Sequence, residues 1–140
     1  MRFQGRVYRD GRFWLAEVPL FEAMTQGRTR REALAMIADW FENMIDHSGF
    51  SVNVHRGHKN VFEVSSPDLR SMISLLLQRR RQASGLSLAE AAKRLGVKSR
   101  NAYARYERGE ALPTIEKLDS LMRAVSDGSD FVVAESSGRS

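Results

Sequence analysis

Residues 87–113, SLAEAAKRLGVKSRNAYARYERGEALP, read as two short helices joined by a tight turn. Ser87 and Glu90 form a capping box, in which the serine hydroxyl accepts the Glu90 N–H and the glutamate carboxylate accepts the Ser87 N–H. A helix therefore starts at Leu88. Leu88, Ala91, Ala92 and Leu95 recur at i, i+3, i+4 and i+7, which gives one buried stripe, and Gly96 supplies the left-handed residue that ends the helix. Ser99 caps a second helix over residues 100–108, which Gly109 terminates before Pro113 forbids continuation. Two short helices around such a turn are an arrangement that lays one helix into a DNA groove.

The charge agrees with that reading. Between Arg70 and Arg108 there are ten Lys or Arg and only Glu90 and Glu107 as acids, a local charge of +8 in a chain of net +5. The remainder is net acidic. A solvated helix face usually alternates in sign, so a one-sided excess on a helix-turn-helix pattern is the footprint expected for a phosphate backbone. The plainer alternative is a helical packing module kept in solution by its arginines.

Working outward, Ser66 as N-cap with Pro67 at the first helical position opens a preceding helix. Thr114 caps a final helix over residues 115–125, whose Leu118, Leu121, Met122 and Val125 form an apolar edge suited to a second interface. One recognition helix reads few base pairs, so this class of protein usually dimerises across a palindrome. Beyond it, residues 131–134 are strand-like within a Gly/Ser-rich tail. Residues 131–133 either pair with a second chain or share the disorder expected of a tail, and residues 136–140 are expected to be mobile.

In the first half, residues 3–9 and 12–18 are rich in aromatic and branched side chains and flank Asp10-Gly11, the dipeptide of a type I′ hairpin turn. A short third strand is expected near residues 23–25. Thr29 and Glu32 form a second capping box, followed by Leu34, Ile37, Ala38, Phe41, Met44 and Ile45 at helical spacing, with Gly49 as the stop. Two more strands are expected at 51–55 and 60–64. The predicted fold class is α+β: a small antiparallel sheet with one packed helix, followed by an all-α helix-turn-helix domain. The expected division is residues 1–65, residues 66–126 and a tail of 127–140.

Composition narrows the chemistry. The 140 residues are 42% hydrophobic and contain no cysteine, which excludes disulfides, thiol catalysis and thiolate zinc sites. No apolar run approaches a membrane span and the N-terminus lacks the apolar core of a signal peptide, so the expected location is cytoplasmic, with no membrane partner. His55 and His58 read as exposed turn histidines rather than a metal pair, since neither has a third ligand at suitable spacing. Paired carboxylates, a phosphate loop and a nucleophile motif are all missing, so no catalytic residue, metal or cofactor is expected.

The phrase Ala23-Met24-Thr25-Gln26-Gly27, followed by Thr29 and by Glu32-Ala33-Leu34, resembles the strand-to-helix signature of the HicB family of type II antitoxins, and the C-terminal segment is similar to the Cro/repressor-like helix-turn-helix of one HicB branch. The resemblance spans residues 3–125. It implies a reduced RNase H-like N-terminal domain that binds HicA, a small mRNA-cleaving toxin, and a C-terminal domain that binds the operator of its own operon. The first strand, FQGRVYR, has no carboxylate, so the resemblance implies a binding surface without RNase H metal chemistry. A free-standing transcriptional regulator with an N-terminal ligand-sensing or dimerisation domain is the alternative, and a nuclease or RNA-binding protein the third reading.

Residue by residue, the expected DNA contacts are Lys98, Ser99, Arg100, Asn101, Tyr103 and Arg105 around the second helix, with Lys93, Arg94 and the run 79–81 on phosphates. Arg100 and Asn101 are the candidates for base reading, since Arg grips guanine O6/N7 and Asn adenine N6/N7 in bidentate fashion. Asn101 serves either that role or a local cap. Tyr103 is expected near a thymine methyl or a phosphate, and Tyr106 in the core. For toxin binding the candidates are Trp14, Glu17, Phe21, Glu22 and Met24. The acids Glu17, Glu22, Asp39, Glu42 and Asp46 would oppose a basic toxin, although those on the helix also fit a solvated face. The partners expected are operator DNA, a HicA-like toxin and a homo-oligomer, dimeric or higher.

Overall fold

The computed structural model describes residues 1–136 and divides into two compact units, 1–69 with 134–136, and 70–133. Of residues 136–140, expected to be mobile, 137–140 lie outside the described residues, whereas Ser136 is hydrogen-bonded to Arg2 and Glu63.

The first unit is a five-stranded antiparallel sheet of order β3-β2-β1-β5-β4, built from β1 (Phe3–Asp10), β2 (Phe13–Val18), β3 (Ala23–Gly27), β4 (Asn53–Arg56) and β5 (Val61–Ser65). Helix α1 (Arg30–Met44) lies against it. The fold class is α+β, as the hydrophobic patterns indicate. Alternation does the work: Phe3, Gly5 and Val7 point to the helix while Gln4 and Arg6 face away. Phe21 sits at the centre of the core, fully buried and edge-on to both Phe3 and Phe41 at 5.0 Å between ring centroids. Gly27 is required where β3 meets α1, since a Cβ there would lie 2.5 Å from the Ala33 nitrogen.

Several local expectations shift. Asp10 pairs with Phe13, so the hairpin loop is Gly11-Arg12 with positive φ at Gly11 only, the II′ pattern rather than I′. Thr29 caps α1 by accepting the Glu32 N–H at 3.0 Å, but the helix ends at Ile45, four residues before Gly49. Strands β4 and β5 begin later than expected, and His55 is a half-buried strand residue, not a turn histidine; its Nε2 lies 2.7 Å from the Ser65 hydroxyl. Ser66 accepts the Asp68 N–H and donates to the Ser51 carbonyl, so it forms a turn ahead of α2 instead of capping it.

The second unit holds α2 (Leu69–Ala83), α3 (Leu88–Leu95), α4 (Arg100–Glu107) and α5 (Ile115–Val125), taking α2 from Arg70 onward. Met72, Ile73, Ser74, Leu75, Leu76 and Leu77 are all buried. Six consecutive residues more than complete a turn, so side chains on every side of this middle part of α2 are buried. Leu121, Met122 and Val125 of α5 are buried as well and Leu118 is half-buried, which corrects their expected role as a free apolar edge; the large apolar residues exposed in and just before α5 are Leu112 and Ile115, at 48% and 73%. Residues 131–134 form no strand among the described residues. No helix is long and apolar enough to cross a membrane among the described residues.

Candidate nucleic-acid interface

The turn is built as its sequence dictates. Ser87 and Glu90 close the capping box of α3, with Oγ accepting the Glu90 N–H at 3.1 Å and the carboxylate accepting the Ser87 N–H at 3.2 Å. The Ser87 contacts hold the Glu90 carboxyl below its ordinary range. Gly96 takes the left-handed conformation at φ +84°. Ser99 then caps α4, its hydroxyl accepting the Ala102 N–H at 3.3 Å.

That cap removes one of the two roles considered for Asn101. Ser99 holds the cap, and the Asn101 side chain is exposed at the first turn of α4 with no hydrogen bond among the described residues. Lys93, Arg94, Lys98, Ser99, Arg100 and Arg105 are exposed too. At 3.6 residues per turn, Asn101, Arg105 and Arg108 fall within about 60° of one another and make one outward stripe, while Arg100 projects from the helix start beside it. Arg105 lies over the Tyr106 ring at 4.9 Å and donates to its hydroxyl at 3.0 Å, a contact that limits its rotamers. Arg94 is paired with Asp127 at 3.0 Å, an exposed contact that phosphate can displace at little cost.

Three expected contacts are absent from this surface. Tyr103 is buried and belongs to the core, next to Tyr106, so it reaches neither thymine nor phosphate. Burial, then its proximity to Glu107, push the phenol's ionisation far above its usual range. Arg81 is turned inward: Nε and Nη2 donate to the two Glu107 carboxylate oxygens at 2.7 and 2.9 Å, and Nη1 donates to the Leu86 carbonyl at 2.9 Å. Arg80 stacks on Phe131 at 5.8 Å and lies 3.5 Å from the Ser126 hydroxyl. Arg80 and Arg81 are thus engaged within the unit and do not make a phosphate stripe.

Glu107 is the residue that sequence reasoning missed. It is buried, receives the bidentate Arg81 fork, and its carbonyl accepts from the Ser74 hydroxyl and, at 2.9 Å, from Gln78 Nε2. The effect is to lock the C-terminal end of α4 to α2, so the face carrying Asn101 is presented rigidly. A lone acid at position 107 within a basic stretch was the available signal. Arg108, which completes the outward stripe, pairs with Glu110 at 2.7 Å.

The proposed toxin-binding residues do not share one surface. Phe21 is core, as described above, and is no surface contact. Trp14 is half-buried and pairs across from Gly27 on the helix side of the sheet, whereas Glu17 and Met24 stand opposite each other on the open side. Glu17 accepts from Arg6 Nη2 at 2.6 Å, and Met24 is 53% exposed. Glu22 is exposed in the left-handed region, φ +50°, after the turn Pro19–Phe21. No group of residues that would hold a metal ion occurs among the described residues.

No curated protein matches the chain. A helix-turn-helix family model matches residues 77–125, which takes in the end of α2 and all of α3, α4 and α5. The carboxyl-terminal unit therefore carries a DNA-binding helix-turn-helix of the Cro/C1 type, the module of a transcription regulator.

Proposed function

We propose that the protein is a HicB-type antitoxin, which neutralises an mRNA-cleaving toxin through its N-terminal unit and represses its own operon as a dimer through α4. The observation that carries the DNA half is the outward stripe Asn101, Arg105 and Arg108 with Arg100 beside it, on a helix pinned by Glu107. For the toxin half, support comes from the open sheet face: Met24, with half-buried Tyr8 and Leu15, borders Glu17, whose carboxylate is paired with the exposed Arg6 across from it and would exchange that partner for a basic group of the toxin. Glu22 stands at the border of this patch. A toxin that cuts RNA carries a basic surface, and such a patch complements it.

The decisive experiment is co-expression with an adjacent gene encoding a small basic protein, followed by pull-down and rescue of growth. Rescue that is lost in a Glu17→Lys/Met24→Asp variant supports the antitoxin reading; absence of rescue leaves a free-standing regulator.

For DNA, Arg100→Ala and Asn101→Ala are each expected to cost about 1–3 kcal/mol on the specific operator and much less on a scrambled duplex. Electrophoretic mobility shift at fixed salt measures both, and equal loss on both duplexes removes that residue from base reading. Lys98→Ala should instead weaken both duplexes alike and reduce the slope of log affinity against log salt by about 0.9.

Dimerisation is assigned to Leu112 and Ile115, the exposed apolar pair at the start of α5. Ile115→Asp is expected to yield a folded monomer by analytical ultracentrifugation and to weaken operator binding at least tenfold. An unchanged oligomer would move the interface elsewhere.

A further inference from the structure

Among the described residues the sheet of the first unit ends at β4, which pairs with β5 and has no strand on its outer edge. Beside that edge runs a groove of about 340 Å³, whose floor is Leu34, Ala35 and Ala38 of α1 with Val52 and Val54. The α1 residues fall at helical spacing and two of them are alanines, so the helix leaves room where a sixth strand would lie, roughly 4.8 Å beyond β4. Arg31 and Arg56 border the groove, both exposed and neither in an ion pair among the described residues.

One segment of the chain has the complementary pattern. Residues 130–135, DFVVAE, when extended place Asp130, Val132 and Ala134 on one face, an acid followed by two apolar side chains, to set against an apolar floor bordered by arginines. It is also displayed. Phe131 lies under Arg80, and Ser136 is held at Glu63 and, at 3.3 Å, by Arg2, while Val132 and Val133 between these anchors are 90% and 98% exposed. Two adjacent valines so exposed, with high strand propensity and no local partner, are an edge-pairing element. Neither Asp130 nor Glu135 is in an ion pair among the described residues.

We infer that residues 130–135 of a second copy of this chain add as a strand to the free edge of β4, with Val132 on the Ala35–Ala38 floor and Asp130, on the same face of that strand, at the groove's arginine border, Arg31 and Arg56. Main-chain hydrogen bonds supply the affinity, and the charge of Asp130 against the arginine border of the groove sets the register. The contact is distinct from the Leu112–Ile115 surface and does not depend on the toxin reading.

The absence of native cysteine makes the test direct. Full-length protein carrying Ala35→Cys is mixed with differently tagged full-length protein carrying Val132→Cys and oxidised mildly. A disulfide between the two tagged copies is expected. Adding Arg31→Glu and Arg56→Glu to the groove copy should lower its yield about tenfold, and adding Asp130→Lys to the tail copy should restore it, whereas Glu135→Lys, on the opposite face of the strand, should not. Circular dichroism on each variant reports folding independently, and the charge-reversed tail rescues only if the groove copy is intact. Absence of an intermolecular disulfide, or a yield indifferent to the charge reversals, overturns the proposal.

Discussion

Arg81→Ala is expected to destabilise the C-terminal unit by about 3–5 kcal/mol, because it leaves the Glu107 carboxylate buried without its counter-charge. The Arg81 fork also satisfies the Leu86 carbonyl just before the α3 cap, so one truncation loosens the ends of two helices. Urea unfolding followed by helical circular dichroism measures the loss. Operator affinity should fall with it at temperatures where the variant is partly unfolded, although Arg81 touches no DNA. A double variant, Arg81→Met with Glu107→Leu, should recover most of the stability, since a buried ion pair is often replaceable by apolar residues of similar volume. A loss under 1 kcal/mol for Arg81→Ala would mean that the pair is solvent-screened and that α4 is held by packing alone.

The second large effect is expected at Phe21→Ala, at about 3–5 kcal/mol, as the ring fills the space between Phe3 and Phe41 and leaves a cavity when removed. The loss should appear in the unfolding of the first unit and spare operator affinity at temperatures where that unit remains folded. The measurement also separates the two roles considered for Phe21. A toxin contact would lose partner affinity at unchanged stability; a core ring loses stability first.

Much of the second unit is legible in the chain because its determinants are local. The Ser87–Glu90 box, the Gly96 stop and the Ser99 cap act over three to nine residues, and each forms as the sequence indicates. The exposure of Arg100 and Asn101 follows from their place at the first turn. Tyr103 shows where that reasoning fails: it shares a face with Tyr106 and Glu107 at i+3 and i+4, and a buried acid at 107 disguises that face as polar. Phe21 is hidden from the sequence for a similar reason, since the short turn Pro19–Phe21 has no periodicity from which to read its direction.

Taken alone, the order of residues determined the α+β class, the first hairpin, the caps of α1, α3, α4 and α5, and the basic character of the helix-turn-helix, all of which depend on neighbours a few positions apart. Tertiary structure decided which arginines reach solvent, that Phe21 and Tyr103 are core, and that β4 is the sheet edge. The physical reason is sequence separation: Arg81 meets Glu107 across 26 residues and Ser136 meets Glu63 across 73, and no spacing rule along the chain carries information about partners so far away.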